Sequence, residues 1–113
     1  MNLKEDLLVW YDPAYCLKEV KQNGFTLKFV KVQTEEICLA AVKQDGDALQ
    51  YVRNQTEEIC LAAVKRNGFA LQFVKVQTEE ICLAAVKKNL EVIVYVDIKQ
   101  FPKVWEYYQF SCI

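Results

Sequence analysis

The chain has 113 residues, with 14 basic and 15 acidic side chains, no histidine and a net charge of −1. So balanced a charge supplies no field that would draw it to nucleic acid or an anionic membrane surface, and without histidine the commonest general base and metal ligand is missing. Its longest apolar run is six residues, far short of the roughly 20 that a membrane-spanning helix needs. No basic-then-apolar leader opens it, so the sequence reads as soluble, unprocessed and cytoplasmic.

A ten-residue string, Thr-Glu-Glu-Ile-Cys-Leu-Ala-Ala-Val-Lys, occurs three times unchanged, at 34–43, 56–65 and 78–87, a period of 22 residues. Extending that period in both directions divides the chain into units of approximately 1–22, 23–44, 45–66, 67–88 and 89–113, a single helical-repeat domain.

The first unit is a modified copy. Asp12 followed by Pro13 is a cap-plus-first-turn pairing that predicts a helix. Lys18-Glu19 stand where the next unit carries Ala40-Ala41. The alanines are therefore expected to face the preceding repeat, and their polar replacements to cap the end. Trp10, Tyr11 and Tyr15 cover that end with bulk.

Asn23-Gly24, Asp45-Gly46 and Asn67-Gly68 are expected to close helices, being residue types that tolerate positive φ. The segment after each pair is ambiguous. Phe69, Leu71 and Phe73 alternate with Ala70 and Gln72, as in a strand. As a helix, Phe69, Phe73 and Val76 form one side, with Ala70, Leu71 and Val74 beside them. Helix is the expectation, because the asparagine and leucine ladder of a strand-bearing leucine-rich repeat is missing. It is weakest at Glu91–Val96, where β-branched residues accumulate.

The string itself predicts an α-helix. Thr34 stands at the N-cap, Glu35 and Glu36 in the first turn and Lys43 in the last, each favourable to the helix dipole. Two adjacent alanines favour helix over strand. In the last unit Trp105, Tyr107, Tyr108 and Phe110 replace small residues, as a lid over the last open face. The expected fold is all-α: a solenoid of about five 22-residue helical hairpins with modified terminal caps.

The stretch from Asn67 to Lys87 combines Ala-Leu-Gln-Phe-Val with Glu-Ile-Cys-Leu-Ala-Ala-Val-Lys, after Asn-Gly. It resembles the short tandem repeats of the family called domain of unknown function 4116, found in bacteria and large DNA viruses. The resemblance covers roughly residues 12 to 98. It implies a run of helical hairpins, no known catalytic activity and no functional residues to carry over.

Four of the five cysteines, Cys16, Cys38, Cys60 and Cys82, recur at the repeat period. Helices of stacked units lie about 8–10 Å apart, whereas disulfide-linked Cα atoms rarely exceed roughly 7 Å. The set is expected to be reduced core residues, with Cys112 apart from them. The paired glutamates have helix-dipole reasons to be where they are, no cysteine has a histidine partner, and no glycine-rich phosphate loop is present. No catalytic residue, cofactor or metal is expected, and the chain is read as a non-enzyme.

A binding surface is sought where near-identical units disagree, since stacking fixes the rest. The positions that do so are Phe25, Asp47 and Phe69; Lys28, Gln50 and Gln72; and the basic column Lys31, Arg53 and Lys75. The column reads either as a solvated stripe balancing the glutamates or as regularly spaced cations for a phosphate backbone or acidic protein. Phe25 and Phe69 read as core or as exposed anchors. The function expected is a non-enzymatic protein–protein interaction module. The alternative is a small phage or mobile-element inhibitor of a host defence nuclease, in the manner of an anti-CRISPR, on analogy with the virus-associated family. Nucleic acid is a lesser candidate partner, and no membrane is expected.

Overall fold

A computed structural model describes residues 7–113 of the chain. Short 3-10 helices and ten-residue α-helices alternate along it. In order they are η1 (Val9–Tyr11), α1 (Pro13–Gln22), η2 (Gly24–Phe29), α2 (Glu35–Gln44), η3 (Gly46–Tyr51), α3 (Glu57–Arg66), η4 (Gly68–Phe73), α4 (Glu79–Lys88), η5 (Leu90–Tyr95) and α5 (Pro102–Ser111). No strand occurs among the described residues, including the β-branched stretch, which forms η5.

The α-helices start where their caps say they should. The Thr34 hydroxyl accepts the Ile37 N–H at 3.2 Å, and Thr56 and Thr78 repeat the bond to Ile59 and Ile81. Asp12 caps α1 by accepting the N–H of Ala14 at 3.0 Å. Each such cap is worth about 1 kcal/mol.

The Asn-Gly and Asp-Gly pairs act differently from the sequence expectation. No residue in the described chain has positive φ. Asn23 is extended, at φ −148° and ψ 106°, and serves two helices at once. Its N–H ends α1 on the Glu19 carbonyl, and its side-chain oxygen caps η2 by accepting the Phe25 N–H at 3.0 Å. Asp45, Asn67 and Asn89 do the same. The glycines answer to crowding instead. A Cβ on Gly24, Gly46 or Gly68 would sit 2.5, 2.5 or 2.7 Å from the carbonyl oxygen of Ala41, Ala63 or Ala85.

The ambiguous segments have neither a two-residue nor a 3.6-residue period. A 3-10 helix has three residues per turn, so i, i+3 and i+6 share an edge. Gly24, Leu27 and Val30 are all buried, as are Gly46, Leu49 and Val52. Gly68 and Leu71 are buried and Val74 half-buried in the same register. Val76, placed on the apolar side by the helical reading, is 77% exposed.

Every strong contact between elements joins parts of one unit or of adjacent units. Stacking of this kind gives a rod of 60 × 21 × 18 Å. Its core is a set of columns running along the rod: the valines 20, 42, 64 and 86, the isoleucines 37, 59 and 81, the leucines 27, 49 and 71, and the cysteines, extended at the last unit by Val104.

The ends differ in detail from their reading as lids. Trp10 packs edge-on against Tyr15 and lies 5.2 Å from the Phe29 ring, while Tyr11 is exposed. At the other end Trp105 stacks on Tyr108 with ring centroids 5.3 Å apart, and Lys87 reaches over the Tyr107 ring. Phe110 points into solvent and takes no part in the lid. The adjacent alanines also separate. Ala41 is buried against Gly24 of its own unit's 3-10 helix, while half-buried Ala40 looks across a furrow toward Leu17 of the preceding unit.

Candidate functional site

The 3-10 side carries the nine residues chosen for their variation. Phe25 and Lys28 are one 3-10 turn apart and so share an edge, as do Asp47 with Gln50 and Phe69 with Gln72. Most are already engaged within the solenoid. Phe25 and Phe69 are half-buried against the core, and Phe25 meets the Tyr51 ring of the next unit edge-on at 6.0 Å. Lys28 lies over the Phe29 ring, while Gln50 and Gln72 donate back to the carbonyls of Asp47 and Phe69.

Asp47 accepts a hydrogen bond from the Asn67 amide at 3.2 Å. Burial, with Asp45 adding repulsion, raises its carboxyl pKa above the usual value.

The basic column is exposed, but two of its members bond along the rod. The Arg53 guanidinium donates to the carbonyls of Val30 and Lys31 at 3.1 and 2.9 Å, and the Lys75 ammonium to that of Arg53 at 3.3 Å. These cations cap carbonyls of the preceding unit. The Lys31 N–H donates to the Trp10 carbonyl, and its side chain is exposed.

Beside that column lies a set of ties that the sequence reading did not single out. The Gln33 side-chain amide donates to the Tyr51 carbonyl at 2.8 Å and accepts the Arg53 N–H at 3.0 Å. Gln55 makes the same pair with Phe73 and Lys75, and Gln77 donates to Tyr95. Each glutamine oxygen also faces the thiol of its own unit, Cys38, Cys60 or Cys82. In the first unit the Trp10 carbonyl takes that place, accepting from both Lys31 N–H and the Cys16 thiol. The signal in the sequence was a glutamine one residue ahead of every copy of the string.

Burial pushes the thiols up, Cys82 to about 11. Cys112 is exposed and all five are free. Among the described residues no three acidic or cysteine side chains converge in a way that could hold a metal ion.

The α side is different, because fewer of its outer residues are engaged: Lys87 lies over the Tyr107 ring and Arg66 donates to the Lys43 carbonyl at 3.2 Å, but the leucines and alanines between the helices stay half-exposed. Between α1 and α2, Leu17 and Lys21 face Glu36, Leu39, Ala40 and Lys43 across a furrow of about 460 Å³. The furrow between α2 and α3 repeats it with Leu39, Glu58, Leu61, Ala62 and Lys65, at about 470 Å³. A third, between α3 and α4, has Leu61, Glu80, Leu83, Ala84 and Lys87, at about 310 Å³. Each has half-buried leucine walls, an alanine floor, a glutamate at one end and lysines at the other. The alanine column is bounded at both ends of the rod by charge: Lys18 holds its place in the first unit and Glu106 in the last.

The sequence profile of DUF4116, a domain of unknown function, matches three overlapping stretches of this solenoid, residues 16–56, 34–76 and 56–101. The chain belongs to that family. No curated protein and no solved structure matches it. Each DUF4116 match is longer than one 22-residue unit and joins one complete unit to parts of its neighbours. The matched region also contains all three furrows of the α side. No helix among the described residues is long and apolar enough to cross a membrane.

Proposed function

We propose that this DUF4116 chain is a non-enzymatic protein-interaction module whose α side carries the contact. The observation behind the reading is the row of three like furrows, leucine-walled and alanine-floored, flanked by charges of opposite sign. Apolar surface that repeats at a fixed spacing, rimmed by polar groups, is what a partner can cover with net gain. The reading as a non-enzyme rests on the chain's chemistry: it has no histidine, and its buried thiols are held protonated at neutral pH.

The 3-10 side supports the reading less well, since its cations and aromatic rings already hold neighbouring units together. The same engagement weighs against a phosphate backbone as the ligand.

The test is capture by the tagged chain from lysate, with and without added nuclease, alongside Ala62→Lys. Lys18 occupies the register position of Ala62 in the first unit, whereas Ala62 is half-buried against Leu39 of the preceding unit, so circular dichroism and a thermal melt of the variant accompany the capture. A protein retained by the wild type after nuclease and lost with Ala62→Lys supports the reading. Retention that the variant does not change places the contact elsewhere, and loss on nuclease treatment alone turns the reading toward nucleic acid.

A further inference from the structure

Within the repeated string the outward residues of each α-helix are antisymmetric about its middle. In α2, which runs Glu35–Gln44, Glu36 and Lys43 lie equally far from the centre, and Leu39 and Ala40 flank it. Reversing one such helix against another therefore sets glutamate opposite lysine and the large leucine opposite the small alanine. The same holds for α3 with Glu58 and Lys65, and for α4 with Glu80 and Lys87. All six charged residues are exposed.

Resting on the reading that the α side is the contact surface, we infer that its partner is a second copy of this chain, packed face to face with the α-helices antiparallel. A two-fold axis along the rod produces this arrangement, unit opposite unit. The acidic edge of each copy then lies on the basic edge of the other, which gains from charge complementarity at every step. The reverse orientation would bring glutamate onto glutamate. Spacing favours a second copy over a foreign surface as well. The charges recur once per unit, about every 8–10 Å, and another copy has that period by construction.

The size of the face sets the expected strength. Three furrows, each the length of a ten-residue helix, span about 30 by 15 Å, or about 450 Å² per copy. That is well below the roughly 800 Å² per partner of a standard interface, so the dimer is of the weak, reversible class.

Sedimentation equilibrium of the full chain, from about 5 µM to 0.5 mM, reads this directly. The wild type is expected to pass from monomer to dimer across that range, and to dissociate more readily as salt is raised. Ala62→Lys is expected to raise Kd at least about tenfold while leaving the helical circular dichroism unchanged. The triple variant E36K/E58K/E80K and its counterpart K43E/K65E/K87E are each expected to remain monomeric alone and to form a heterodimer when mixed.

A wild type that stays monomeric throughout overturns the inference, as does a dimer that Ala62→Lys and salt leave unaffected. In either case a lysate protein captured by the wild type and lost with Ala62→Lys would keep the α side as the contact surface. Absence of both would remove that reading too.

Discussion

Gly46 meets the carbonyl oxygen of Ala63 so closely that a Cβ on the glycine would lie 2.5 Å from it. The atom in the way is backbone, which cannot swing aside as a side-chain tip can. Gly46→Ala is therefore expected to push the 3-10 helix and the α-helix of one unit apart and cost about 1–3 kcal/mol, read as a fall in melting temperature. Gly24→Ala and Gly68→Ala should behave alike. A neutral or stabilising effect would mean that the interface yields more easily than its geometry indicates.

Gln55 satisfies a carbonyl and an N–H of the next unit with a single side-chain amide. Gln55→Ala leaves the Phe73 carbonyl and the Lys75 N–H without that partner, at a cost of about 1–3 kcal/mol. Gln55→Glu keeps an acceptor for Lys75 but loses the donor to Phe73, so it should restore only part of the loss. Urea denaturation of the three proteins gives the order, and a Gln55→Glu variant as stable as the wild type would contradict it.

The buried thiols predict sensitivity to alkali. Burial raises their folded pKa values above that of a free thiol, Cys82 to about 11. Between those limits the unfolded chain ionises while the folded chain keeps its protons, so the unfolded state is favoured. Stability should hold below about pH 8.5 and fall as pH rises toward 11. Thermal melts across this range test the sign, and replacing Cys82 with Ala should flatten the fall. In the folded protein near neutral pH, a thiol reagent should label Cys112 first.

Asp47 carries a carboxyl whose charged form is disfavoured by burial and by Asp45. Asp47→Asn keeps an oxygen to accept from Asn67 and removes the charge, so it should stabilise the fold by about 0.5 kcal/mol at neutral pH. Because the folded pKa is raised, the wild type is at no disadvantage below the carboxyl's unfolded pKa, and the gain should vanish there. Melts at pH 7 and below about pH 4 distinguish this from a pH-independent packing effect.

The period, the α-helices and their threonine caps were legible because each is local. Thr34 reaches only to Ile37, and the capping rule needs nothing beyond those residues. The 3-10 helices were not legible in the same way. Phe69, Leu71 and Phe73 mimic a strand, while the buried residues are Gly68, Ala70 and Leu71, with Val74 half-buried. Gly68 shows no hydrophobic signal, so a three-residue period with glycine at its first position is invisible to a hydropathy pattern. The glutamine ties were hidden for another reason, since Gln33 finds its partners 18 and 20 residues ahead. Varied positions did not reveal which exposed side chains bond within the rod, because Arg53 differs from Lys31 and Lys75 yet caps carbonyls as Lys75 does. The furrow floor at Ala40 was not legible, because Lys18 at the same register reads as an end cap and sets both alanines toward the preceding repeat.

Every glutamine tie and every carbonyl cap spans about one period of sequence, from 18 to 23 residues. Under a pulling force applied to its ends, such a molecule has no long-range clasp to break all at once. It would come apart as a row of buttons does, from an end inward. Each yielding unit would pay out a contour of about 70–80 Å for its 22 residues. Extension would then advance in near-equal steps, with the force at each step set by one interface and not by the length of the rod.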